Sequence, residues 1–119
     1  MLMGIDQRKG ERFQEIGRVQ CNELCVFPGI VSDISISGCK VRFPAILSVD
    51  TDEDYELSLS FTRIIKSSAI ILIGRPVWFN LDSDSTEIGF KFLHSPGTRQ
   101  LSELISTLAK DAGTDTEYF

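Results

Sequence analysis

Tyr55-Glu56-Leu57-Ser58-Leu59-Ser60-Phe61 decides the class of fold. Apolar residues stand at every second position, and Glu56, Ser58 and Ser60 fill the gaps. Successive strand side chains point to opposite faces, so this is a strand with one face in a core and the other in water. An amphipathic helix would instead space its apolar residues three and four apart. The strand is predicted to run on to Ile65.

Working upstream, Cys39, Val41 and Phe43 alternate with Lys40 and Arg42 between Gly38 and Pro44, which gives another strand. A shorter one covers Ile30 to Ile34, and a first one runs from Val19 to Phe27. In that first strand Val19, Cys21, Cys25 and Phe27 share a side, Glu23 interrupts, and Pro28-Gly29 reads as the closing turn. Downstream, Ala69 to Phe79 is long and apolar, and its internal Gly74 and Pro76 predict a bend, a bulge or an edge position. Asp82-Ser83-Asp84-Ser85 is a polar turn, after which Glu87 to Leu93 returns with Ile88, Phe90 and Phe92 on one face.

The period then changes. Ser95 is placed to cap a helix with Pro96 at its first position. Leu101, Leu104, Ile105 and Leu108 make one apolar stripe, and Gly113 reads as the stop. The expectation is a mainly all-β fold: a six-stranded antiparallel β-barrel, a C-terminal amphipathic α-helix over its open end, and a flexible N-terminal arm. The arm is residues 1–17, weakened as a helix by Gly10 and Gly17; the barrel with its helix is 18–113; the tail is 114–119.

A chain of 119 residues with 42% apolar composition is sized for one domain with its own core. Its longest apolar run, residues 69–73, falls far short of the ~20 needed to span a bilayer, and the N-terminus lacks a signal-peptide pattern. No membrane insertion and a cytoplasmic location are expected. Three cysteines, Cys21, Cys25 and Cys39, argue against a closed disulfide framework. With a single distant His94 they also make a poor zinc set, and they read as small core residues. The net charge of −5 opposes broad binding to DNA or RNA, yet Arg8, Lys9, Arg12 and Arg18 enrich the arm in cations.

Two short patterns carry chemistry. Arg8 and Arg12 stand four apart in the arm, and Asp33, Ser35 and Gly38 follow at offsets of zero, two and five between two strands. A guanidinium fork matches guanine N7 and O6, and it matches phosphate for the same bidentate reason. The opposite edge of guanine offers N–H donors that the Asp33 carboxylate can accept. Ser35 lies on the same face of an extended strand as Asp33, and Gly38 lets backbone turn sharply or approach a ring. Together they form a clamp for a guanine nucleotide. The plainer alternatives are a solvated arginine face and an Asx-type turn with Gly38 at positive φ.

Arg8-xxx-Arg12 followed by Asp33-x-Ser35-x-x-Gly38 resembles the paired signature of the PilZ domain, a bacterial receptor for cyclic di-GMP. Gly74-Arg75-Pro76-Val77-Trp78 and Glu87 to Phe92 resemble that family's fifth and sixth strands, so the likeness spans roughly residues 7 to 108. The resemblance implies that Arg8 and Arg12 hold phosphate and guanine while Asp33, Ser35 and Gly38 line the second side. It also gives Gln7, just before the arginine pair, a bearing on whether one ligand or a stacked pair is bound. Lys9 and Trp78 are accessory candidates, although Trp78 reads first as an aromatic packed under the helix or barrel. Lys40 and Arg42 point outward next to the Asp33 motif and offer an extension of the cationic rim, but they read first as a solvated strand face; His94 is given no role.

An enzyme needs a nucleophile with a base, paired acids or a metal site, and no such set is legible here. An oligonucleotide-binding barrel wants a basic groove with exposed aromatics, which an acidic chain with aromatics at core parity does not offer. The expected function is therefore a monomeric, non-enzymatic receptor for cyclic di-GMP that needs no cofactor. On binding, it orders its arm and signals through an effector protein. The rival is a protein-interaction module of the same fold with a silent nucleotide site.

Overall fold

The computed structural model describes residues 12–14, 16–61 and 69–117, with side chains described as far as residue 111. Six strands form one closed antiparallel barrel: β1 (Gly17–Cys21), β2 (Cys25–Ile34), β3 (Gly38–Phe43), β4 (Tyr55–Phe61), β5 (Ile70–Leu81) and β6 (Thr86–Leu93). Around the ring the order is β1-β2-β3-β6-β5-β4, and pairing of β1 with β4 closes it. Among the described residues one helix, α1 (Thr98–Glu117), follows.

The alternation of β4 is realised without exception: Tyr55, Leu57, Leu59 and Phe61 are buried. They meet Val19, Val31, Val41, Phe43, Leu72, Ile88 and Phe90 in one core, and Leu101, Leu104 and Leu108 of α1 join the same cluster. Removing that much apolar surface from water is the dominant favourable contribution to folding. The predicted continuation of β4 to Ile65 lies outside the described residues.

The first predicted strand, 19–27, is two strands and a turn. Cys21 accepts the amide of Leu24 at 3.0 Å, residues 22–24 turn, and Cys25 pairs back onto Cys21. Cys21 and Cys25 thus face each other across a hairpin instead of lining one strand. Pro28-Gly29, read as a turn, sits inside β2. The β1–β2 register shifts between Val19 and Cys21, an irregularity that accommodates the missing N–H of Pro28. Gly29 points inward where a Cβ would come within 2.6 Å of Val41 and 2.9 Å of the Phe43 ring. Packing, not turning, requires glycine there. Phe27, assigned to the core side, lies 58% exposed beyond this irregularity.

The helix also departs from expectation at both ends. Its first turn is tied to β5: Gly97 donates its amide to Ile71 at 2.8 Å, and Leu101 donates to Gly97 at 2.9 Å. Ser95 is buried and works two residues earlier, its hydroxyl accepting the Ile73 amide at 2.8 Å. The cap is supplied in reverse, the Ser95 amide donating to the Thr98 hydroxyl at 2.8 Å. Gly113 does not stop the helix, which continues to Glu117 through residues assigned to the tail. A glycine in a helix interior costs about 1 kcal/mol, too little to end one on its own.

Candidate ligand-binding site

The end of the arm is stitched to the barrel. Phe13 and Ile34 exchange backbone hydrogen bonds of 2.8 and 3.0 Å, which sets the preceding Arg12 beside the end of β2. There Arg12 Nη1 lies 3.4 Å from Asp33 Oδ2. The two motifs, twenty-one positions apart, are thereby brought into contact. Arg8, Gln7 and Lys9 lie outside the described residues.

Asp33 is the unusual member of the pair. Arg12 is 60% exposed in its side chain, but that of Asp33 is only 22% exposed. Its Oδ1 is buried and has no hydrogen-bond partner among the described residues. Buried polar atoms are rarely left so, because an unmet acceptor carries a desolvation penalty of about 1–3 kcal/mol. An acceptor held in that state is suited to a donor that arrives from outside.

Ser35 does not share an open face with Asp33. The strand ends at Ile34, after a register shift between Val31 and Asp33, and Ser35 turns inward to 2% exposure. Its hydroxyl accepts the amides of Ser37 and Gly38, both at 3.2 Å, and its own amide donates to the Gly38 carbonyl at 2.8 Å. The hydroxyl therefore shapes the 35–38 loop. Gly38 has no positive φ, as is true of every described glycine, so neither a sharp turn nor the left-handed region accounts for it. A Cβ there would collide with the carbonyl oxygen of Phe90 on β6. Gly38 is the point at which β3 can close onto β6.

Register carries the site further round the barrel. Asp33 on β2 pairs with Lys40 on β3, Lys40 with Gly89 on β6, and Gly89 with Trp78 on β5. These four positions make one row across the outer wall. Trp78 is 40% exposed, and its indole is laid across Gly89 so closely that a Cβ would collide with it. It therefore packs under neither the helix nor the barrel. Gly74 and Pro76 point inward, and unbroken alternation would send Trp78 the same way, but the bulge between Pro76 and Trp78 reverses it. Lys40 faces outward because Cys39 and Val41 on either side are buried. Behind the row, burial pushes the Cys39 thiol far up, so it stays protonated and unreactive.

The wall thus offers a carboxylate, a guanidinium, an ammonium and an exposed ring within a rigid frame. That combination suits a planar, anionic ligand with N–H donors on one edge. A family model for the PilZ domain matches residues 6–110, and the chain belongs to that family of cyclic di-GMP-binding domains. No curated protein matches the chain. Among the described residues, no helix is long and apolar enough to cross a membrane.

Proposed function

We propose that this protein is a cytoplasmic receptor for cyclic di-GMP, binding it without chemical change and passing the signal to an effector protein. The observation that carries the reading is the buried, unpartnered Oδ1 of Asp33 beside the Arg12 guanidinium. In this reading Asp33 accepts N–H groups of one guanine, and Arg12 with Arg8 takes a phosphodiester and the N7/O6 edge. Trp78 supplies a stacking face. Ser35 and Gly38 contribute through the loop they shape.

Binding then orders the N-terminal arm, residues 1–17, against the barrel, and the covered wall is what the effector reads. Calorimetric titration of cyclic di-GMP tests the first part: micromolar or tighter binding is expected, about −8 kcal/mol or better, and Arg12→Ala or Asp33→Ala abolishes it. A wild-type chain that takes up no ligand would turn the reading to a ligand-independent interaction module. Hydrogen exchange in residues 4–17 tests the second part, with slower exchange expected at saturating ligand.

A further inference from the structure

We infer that Lys40 is a further ligand-contacting residue, its ammonium receiving a phosphodiester oxygen of the bound dinucleotide; this rests on the receptor reading above. Lys40 stands in the middle of the outer row, with Asp33 as its partner on one side and Gly89, under the Trp78 indole, on the other. A ligand that reaches from the carboxylate to the ring passes over it.

Its charge is uncommitted. Asp33 takes its ion pair from Arg12 and not from Lys40, its own register partner. Arg42, two residues along the same strand, is occupied by Asp82, Glu87 and the Ser85 hydroxyl, and Arg75 is bound to Asp54. Lys40 has no ion pair among the described residues.

Electrostatics gives that free charge a purpose. The Arg12–Asp33 pair sums to zero, while the ligand brings two phosphodiester charges to a chain of net charge −5. Lys40 leaves the row with a positive excess where the ligand needs it. An ammonium on a flexible stem acts as a point charge and tolerates the varied approach of a phosphate better than a fixed fork does. Lys40 is also half-buried, so solvent ions screen it less than a fully exposed lysine.

The experiment is titration of cyclic di-GMP into the wild type, Lys40→Met, Lys40→Arg and Lys40→Glu, at low and at physiological salt. Arg99→Met, on α1 and outside the row, serves as the charge-matched control. Lys40→Met is expected to weaken binding about ten- to a hundredfold, the range for losing one charge-assisted hydrogen bond. Lys40→Glu weakens it more, Lys40→Arg retains most of it, and Arg99→Met leaves it unchanged. Lys40→Met also flattens the salt dependence while its thermal midpoint stays at the wild-type value, which a merely structural role would not produce. Wild-type affinity in Lys40→Met overturns the assignment and leaves the receptor reading standing. Absence of binding in the wild type overturns both.

Discussion

Replacing Gly38 by alanine separates a residue that holds the fold from one that holds a ligand. The new methyl would run into the Phe90 carbonyl oxygen, with the Phe90 carbonyl carbon at 3.3 Å and Lys91 Cα at 3.6 Å behind it. All three are backbone atoms of β6, so no side-chain rotation relieves the contact. Either β3 lifts from β6 or the 35–38 loop shifts. The first strains the β3–β6 ladder; the second disturbs the 2.8 Å bond from Ser35 to Gly38 and the 2.9 Å bond from Phe92 to Ser37. Overpacking of this kind costs about 1–3 kcal/mol, and one disturbed hydrogen bond adds about 1. A total of about 2–4 kcal/mol in a domain of this size lowers the melting temperature by about 6–20 °C. Thermal unfolding of the ligand-free protein, followed by circular dichroism, measures it. A Gly38→Ala protein melting within about 2 °C of wild type would refute the packing argument and leave the glycine needed only for the ligand.

Asp33→Ala should do the opposite in the ligand-free protein. It removes one exposed ion pair worth about 1 kcal/mol or less and relieves a buried oxygen that lacks a partner, so the melting temperature should hold or rise. A fall of more than about 5 °C would show that Asp33 is structural. Thr86→Val removes the hydroxyl that donates to Ala45 at 2.7 Å and accepts from Leu47 at 3.0 Å. The urea midpoint should drop by the equivalent of about 2 kcal/mol, and an unmoved midpoint would mean the 44–50 loop is held by other contacts. At high pH, stability should decline. Burial raises the Cys39 and Cys21 thiols and the Tyr55 phenol above their unfolded values. Above about pH 9 the unfolded chain therefore releases protons that the folded one keeps, and the balance shifts toward unfolding. Midpoints measured from neutral to strongly alkaline pH test this, and Cys39→Ala should flatten the decline.

What the sequence made legible follows from what its patterns encode. β3, β4, β6 and the leucine stripe of α1 show their period directly, because each has one face in the core and one outside it. The hairpin at 22–24 carries no glycine, while the strongest local turn signal, Pro28-Gly29, belongs to a strand. The side chains of Val41 and Phe43, both contributed from β3, explain why Gly29 is a glycine. Spacing along a chain cannot report a neighbour that arrives from another strand. The same limit hid Trp78: a bulge near Pro76 was legible, but the reversal of parity it imposes appears only in the pairing with Gly89. Arg12 and Asp33 were found as motif residues; Lys40 was legible as an outward cation, but its place between Asp33 and Gly89 appears only in the register. Ser35 and Gly38 were recognised as a pair, but the loop they build together was not legible, because it depends on the Phe90 carbonyl arriving from β6.

Closure of the ring sets how this molecule can meet another protein. An open sheet leaves a border of unpaired amides and carbonyls to which a foreign segment can add as one more strand. Around the ring each of the six strands has a neighbour on both flanks, although residues 75–81 of β5 pair with β6 and not with β4 among the described residues. Along the paired length this guards against runaway stacking of copies and removes the simplest grammar of recognition, backbone to backbone. A partner must instead read relief and charge on a finished wall. A small molecule laid along that wall rewrites the text without moving a strand.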